Sequence, residues 1–170
     1  MVKVIDMDGN LQSWDWARQK YGNLEIIPTP GDGYKVVQLT ECGSGWMGFT
    51  CTVLNDAGGA VSGQRVGYKH GDDVDIEITS GAGVAEHSAG PGEAYNPQTA
   101  QGPITWEVLD AASDQMKGIG WLMGSNHVHL QVTMRWNGGG GDEDGGDIAA
   151  AIDRLTAQLR TGIVVQFVAK

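Results

Sequence analysis

The sequence predicts a mainly β protein: an antiparallel immunoglobulin-like β-sandwich with a short N-terminal helix and, beyond a glycine-rich linker, a C-terminal helix plus strand. Three observations lead there. Glycine supplies 27 of 170 residues, about 16% against a usual share of roughly 7%, which disfavours long helices and favours frequent turns. About seven short segments alternate apolar and polar residues between turn signals spaced ~8–12 residues apart, the rhythm of a sandwich. The stretch NGGGGDEDGGD, residues 137–147, combines glycine for freedom with acid for solvation and reads as a tether. The chain therefore divides into a β-sandwich domain (1–136), the linker (137–147) and a C-terminal helix and strand (148–170).

Residues 2–5, VKVI, form a strand that ends at the turn signal Asp8-Gly9-Asn10. In LQSWDWARQKYG, Ser13 caps a short helix and Gly22 sits where a C′ glycine belongs. Trp14, Ala17 and Tyr21 share one face of that helix and lay aromatic rings over one end of the main body. Strands follow in YKVVQLTE and GFTCTVLND, the second ending in the turn Asp56-Ala57-Gly58-Gly59. AVSGQRVGYKH is a further strand, bent or bulged at Gly63. VDIEITS alternates Val74, Ile76 and Ile78 against Asp75, Glu77 and Thr79. GAGVAEHSAG is hairpin-like, and GPITWEVLD opens a strand after Pro103. HVHLQVTMRW is the strongest strand: Val128, Leu130, Val132, Met134 and Trp136 point one way, and His127, His129, Gln131, Thr133 and Arg135 the other. The texture of Asx-Gly turns, V-x-G-x-x-V and G-P-h-x-W-x-V is common in immunoglobulin-like extracellular modules, an analogy of pattern rather than of chemistry.

After the tether, Asp147 caps the amphipathic helix DIAAAIDRLTAQLR, whose stripe is Ile148, Ile152, Leu155 and Leu159, and Gly162 ends it. IVVQFVAK, with Ile163, Val165 and Phe167 alternating, reads as a terminal strand. A strand needs a sheet edge to satisfy its backbone groups. The tether lets it pair with its own sandwich or with a neighbour's, and the second option makes an exchanged oligomer. Both pairings stay open, and these seven apolar residues are the candidate oligomer interface.

Eleven Lys and Arg against 21 Asp and Glu leave a net charge of -10. With no basic surplus to displace counterions, nucleic acid and anionic lipid surfaces are excluded as partners. No run approaches the ~18 consecutive apolar residues of a membrane span, so membrane insertion is not expected. The N-terminus MVKVIDMDGN does not read as a signal peptide, because Lys3, Asp6 and Asp8 interrupt it. Cys42 and Cys51 flank a Gly-rich turn. A hairpin there either opposes them as a disulfide or leaves two free thiols, one buried; the spacing suits no zinc or redox motif.

The order of several motifs resembles a known family. The residues are Asp6 to Gly9, Trp14-Asp15-Trp16, Tyr21-Gly22, Val53 to Gly58, Gly102 to Trp106 and Ser113-Asp114. The series ends in Gly118-Ile119-Gly120-Trp121-Leu122-Met123-Gly124-Ser125-Asn126-His127-Val128-His129-Leu130, its most specific part. The chain is similar over residues 3–136 to a β-sandwich module of Chloroflexota-type bacteria that accompanies lysozyme-like and other cell-wall-associated proteins, or stands alone. The resemblance implies an accessory, non-catalytic role. The helix and strand after the linker fall outside it.

The chain contains no G-x-S-x-G elbow, no P-loop and no H-E-x-x-H. His127 and His129, two apart on one strand face, have the spacing at which two imidazoles share a metal, with His70, His87 or Asp114 as a third ligand. The alternative is a polar strand face, with Ser125 and Asn126 bonding the preceding turn. Asp6-Met7-Asp8-Gly9-Asn10 resembles a calcium loop but lacks the third acid and the distal bidentate Glu, so it reads as a plain turn. Asp142-Glu143-Asp144 reads as solvated tether. No carboxylate pair stands where two pKa values would be driven apart, as glycosidic chemistry needs, and neither cysteine has a local activating His. The chain is therefore expected not to be an enzyme and to need no cofactor.

Six tryptophans against two phenylalanines are the more informative feature. Trp106 and Trp136 sit in strands and belong to the core. Trp46 lies in GSGWMG, Trp121 in GIGWLMG, and Trp14 and Trp16 on the short helix. Exposed indoles beside amides and acids stack on the C–H face of a pyranose. The candidate carbohydrate-binding residues are thus Trp46, Trp121, Asn126, Trp14 and Trp16. Against this, the same rings can close the ends of the sandwich or pack at a subunit interface. Two functions are expected on these grounds. One is a glycan- or cell-wall-binding module, extracellular, at the cell surface or on a virion. The other is a self-assembling structural protein (an envelope, filament, virion or phage component) that forms a homo-oligomer through residues 148–170.

Overall fold

A computed structural model of the chain describes residues 1–21, 24–43, 48–88, 102–120 and 128–138. All of them lie in Met1–Gly138, the first of two units into which the chain divides; the second is Gly139–Lys170. The expected linker from Gly139 onward and the expected C-terminal helix and strand lie outside the described residues.

The described residues form β1 (Lys3–Ile5), β2 (Leu11–Gln12), α1 (Trp14–Tyr21), β3 (Glu25–Ile27), β4 (Gly33–Gly43) and β5 (Gly48–Leu54). They continue with β6 (Arg65–His70), β7 (Asp73–Ile78), β8 (Val84–Ser88), β9 (Ile104–Val108), β10 (Gln115–Ile119) and β11 (Val128–Asn137). The fold is mainly β, with one short helix among these residues, as expected. Two sheets are present, in the orders β2-β1-β4-β11-β5-β8 and β3-β10-β9-β6-β7. Most neighbours are antiparallel, but β1 runs parallel to β4, and β11 parallel to β5. The wholly antiparallel expectation is corrected at these two pairs.

The parallel pair follows from where β11 goes. It enters between β4 and β5, antiparallel to the first and parallel to the second. The GSGWMG stretch therefore does not join two paired strands of a hairpin. The possible Cys42–Cys51 bridge falls with it. Cys42 opposes His129 on β11 and Cys51 opposes Val132. Two strand spacings, ~9–10 Å, and three residues of offset separate them, beyond the ~7 Å Cα limit of a disulfide. Both are free thiols, Cys51 buried and Cys42 half-buried.

β11 is the central strand its alternation announces. Leu130, Val132 and Met134 are fully buried, and each such side chain contributes about 2 kcal/mol on leaving water. One buried cluster joins both sheets: Val36, Leu39, Phe49 and Val53 from the first with Val66, Ile104, Trp106 and Met116 from the second. The Phe49 and Trp106 rings meet edge-on at 5.6 Å, and Tyr68 meets Trp106 edge-on at 5.2 Å.

Two bulges set which residues face that cluster. Met134 pairs with Val36 but Thr133 with Gln38, so Val37 is an extra residue. It shifts the buried row of β4 from Tyr34 and Val36 to Leu39 and Glu41. In β10, Lys117 pairs with Thr105 and Ile119 with Ile104, leaving Gly118 between them at φ 80°. Glycine takes that left-handed backbone without the clash a Cβ would bring. Gly102 packs directly on the Ile119–Gly120 peptide, where a Cβ has no room.

Trp106 is wholly buried, and its indole Nε1 has no hydrogen-bond partner among the described residues. A buried donor without an acceptor costs ~1–3 kcal/mol. Trp106→Phe removes that penalty while losing some packing, so urea denaturation should place it within about 1 kcal/mol of wild type. A loss of 3 kcal/mol or more would mean the indole N–H is satisfied after all.

Candidate functional site

α1 carries the two candidate tryptophans whose structure is described. Ser13 Oγ accepts the backbone N–H of Trp16 at 3.0 Å, the cap its sequence position calls for. Asp15 in the first turn and Arg18 and Lys20 in the last complement the helix dipole. Ala17 and Tyr21 are buried, and Trp14 and Trp16 pack, half-buried, against the core. Leu11 and Gln12, expected to lead into the helix, instead pair with β1 as β2.

Two residues apart on a helix, Trp14 and Trp16 do not face the same side, so they form no shared stacking platform. The Trp16 ring is further occupied: the Lys20 ammonium, one helical turn on, sits 4.9 Å from its centroid. A sugar would have to displace that cation from this face.

Lys20 is held there by Glu41, a residue the sequence reading did not single out. Glu41 is buried on β4. Its Oε1 accepts the Tyr21 hydroxyl and lies 2.5 Å from Lys20 Nζ, while Oε2 accepts the Met7 backbone N–H at 3.1 Å. Burial, and then the Glu41 carboxylate on its hydroxyl, push the Tyr21 phenol well above its ordinary range. The available signal was the acid two residues after Leu39, hidden because the Val37 bulge reverses the apparent phase of the strand.

Asp114, a candidate third metal ligand, is also buried and engaged. Its Oδ1 accepts Thr29 N–H at 2.8 Å and its Oδ2 accepts Val36 N–H at 3.1 Å, with Lys35 Nζ 3.6 Å from Oδ1. His87, another candidate ligand, stacks within the core on Tyr68 at 4.8 Å and lies parallel to Phe49 at 6.3 Å. His70 ends β6 and is exposed. The structure does not bring these three together, and among the described residues no group of three or more His, Cys, Asp or Glu is placed to hold a metal ion. His127 lies outside the described residues; His129 is described only through its backbone pairing with Cys42.

The Asp6 turn is closed on itself. Asp6 Oδ1 accepts the N–H groups of Asp8 and Asn10 at 3.0 and 2.8 Å, and Oδ2 accepts the Gln12 and Asn10 side-chain amides at 2.7 and 3.3 Å. The Gln12 amide, followed by the Asn10 backbone N–H, holds the Asp6 carboxyl below its ordinary value. Both oxygens are committed to the turn, which supports the plain-turn reading of this segment.

The thiols differ in reach. Burial raises Cys51 from 9.0 to about 12, and burial plus the Glu41 charge raises Cys42. A chromogenic thiol reagent should therefore titrate one cysteine slowly in the native protein and both in urea; two fast native thiols would contradict this. The sign with pH follows. Between about 9 and 12 the unfolded chain gives up the Cys51 proton while the folded chain keeps it, so the native state binds more protons and stability falls as pH rises. The urea midpoint should drop across that window, the buried Tyr21 and Tyr68 phenols adding to the drop above about pH 10, and Cys51→Ala should lessen it below that pH.

Trp46, Trp121 and Asn126 lie outside the described residues, as do the interface candidates Ile148, Ile152, Leu155, Leu159, Ile163, Val165 and Phe167. The ends of the segments that carry the first three are described. Gly43 closes β4 and Gly48 opens β5 on either side of 44–47, and Val128 opens β11 after 121–127. Val128 pairs with Gly43, and Leu130 with Phe49. The described residues on either side of 44–47, and Val128 after 121–127, therefore lie at one end of the first sheet, while Gly120, just before Trp121, follows β10 of the second. Among the described residues no helix is long and apolar enough to cross a membrane. Comparison with family models, curated proteins and solved structures returns no match.

Proposed function

We propose that this chain is a non-catalytic binding module that recognises glycan or cell-wall carbohydrate outside the cell, through Trp46, Trp121 and Asn126, on an immunoglobulin-like sandwich formed by the two sheets. The observation that carries it is the common anchorage. Gly43 and Gly48, which flank the segment bearing Trp46, and Val128, two residues after Asn126, lie at one end of the first sheet. Indoles and an amide suit a pyranose, whose apolar face stacks while its hydroxyls take polar partners. The other four tryptophans belong to the core or pack against it. The single buried cluster shared by both sheets supports the sandwich.

Sedimentation with insoluble peptidoglycan, backed by a glycan array, tests the proposal. Wild type should bind, Trp46→Ala and Trp121→Ala should each lose at least tenfold in affinity, and Trp16→Ala should keep it. A wild-type protein that binds no sugar, or Trp46→Ala and Trp121→Ala variants that bind as wild type does, would refute it.

A further inference from the structure

Among the described residues, the last strand of the second sheet carries an exposed apolar row and an acidic one without an ion pair. β7 ends that sheet, with β6 its neighbour on the inner side. Its six residue pairs with β6 run from Arg65↔Ile78 to His70↔Asp73 without a bulge, and it holds no proline. Val74, Ile76 and Ile78 are 45%, 44% and 64% exposed. The alternation seen in the sequence is present, but the apolar row faces outward. The register explains it: Val66 and Tyr68, which enter the core, oppose Glu77 and Asp75, whereas Val74, Ile76 and Ile78 oppose Lys69, Gly67 and Arg65.

We propose that β7 is a docking edge for an extended segment of another protein in which apolar residues alternate with Lys or Arg. An edge strand offers unpaired backbone groups to any added strand, and side-chain pattern decides which one fits. Here the pattern asks for apolar residues beside Val74, Ile76 and Ile78, and for cations beside Asp73, Asp75 and Glu77. The cations of β6 oppose the apolar row and are committed elsewhere: Lys69 pairs with Glu107, and Arg65 with Asp110 at 3.1 Å. Among the described residues no ion pair reaches Asp73, Asp75 or Glu77.

A second copy of the chain fits poorly. Pairing two β7 strands antiparallel with apolar against apolar sets Asp75 opposite Asp75 or opposite Glu77, and like charges directly opposite are destabilising. The acids thus exclude self-association and select a basic partner. The edge uses none of the residues proposed to contact glycan, so a negative sugar assay leaves it standing.

The test uses the full chain and a fluorescent ten-residue peptide of alternating valine and lysine, followed by anisotropy at low salt. The reference is a peptide of the same composition with its valines and lysines in separate blocks, which carries the same charge without the alternation. The alternating peptide should bind at least tenfold tighter than the block peptide. The Asp75→Lys, Glu77→Lys double variant should lose at least tenfold while keeping the wild-type far-ultraviolet spectrum. If that variant does not fold, Ile76→Lys serves in its place with the same expected loss. Methylating the peptide's alternate backbone nitrogens should also abolish binding. Equal binding of the two peptides, or a folded variant that binds as wild type does, overturns the proposal. So does a dimer, seen by light scattering, that Ile76→Lys dissolves.

Discussion

Glu41→Ala is expected to lower stability by about 3–5 kcal/mol, the range for breaking a buried ion pair by removing one partner. The urea midpoint should fall by more than 1 M for an m-value of ~1–3 kcal/mol/M. The size comes from what is left behind. Tyr21, itself almost wholly buried, loses the acceptor of its hydroxyl, and the Met7 N–H loses its carboxylate. The orphaned hydroxyl, buried, costs ~1–3 kcal/mol, and the part-buried Met7 N–H adds to it. Three segments also come apart at once, because this one carboxylate ties α1 and the loop after β1 to β4. Glu41→Gln should cost less than half as much. Its amide keeps one oxygen for Met7, and the Tyr21 hydroxyl can turn round and accept from the amide N–H. Lys20, whose side chain is one-third exposed, swings to solvent. Equal losses in the two variants would show that charge, rather than hydrogen bonding, holds the cluster.

What the sequence made legible was local. Ser13 as a cap, the helical face of Trp14, Ala17 and Tyr21, and the alternation of β11 depend on neighbours within a few residues, and the structure has them. What it hid depended on distant strands. β11 enters between β4 and β5, so a segment that looks like a hairpin flanked by two cysteines is split by a strand from far along the chain. Val37 becomes a bulge only because β11 pairs on both sides of it, and that bulge turns Glu41 inward. Period-two alternation in Val74, Ile76 and Ile78 tells which residues share a face but not which face is buried, and here the apolar one is outside. The candidate site divides the same way. Trp16 reads as an exposed indole until Lys20, at i+4, is seen to lie over it. Asp114 and His87 read as ligands until each is found held within the fold. Only the topology shows that Gly43, Gly48 and Val128, which border the segments bearing Trp46 and Asn126, meet at one sheet end.

Asp114 should be less forgiving than Glu41. Asp114→Ala is expected to cost about 3–5 kcal/mol, again read as the shift of the urea midpoint with the slope unchanged. The carboxylate joins places 85 and 78 residues away along the chain, the N–H groups of Thr29 and Val36. Its own N–H donates to Tyr34 O at 2.8 Å, so the turn before β10, the loop before β4 and β4 itself meet at this residue. Lys35 reinforces the junction by donating to Thr29 O. The informative variant is Asp114→Asn. Both partners are backbone N–H groups, fixed as donors, and neither can reverse as the Tyr21 hydroxyl can. An amide offers only one acceptor oxygen, so its NH₂ must face the second N–H, donor against donor. Asp114→Asn should therefore lose more than half of what Asp114→Ala loses, the opposite of the pattern at Glu41. If Asp114→Asn proved as mild as Glu41→Gln, neither the negative charge nor the donor geometry at Thr29 and Val36 would be what holds β4 to the turn before β10.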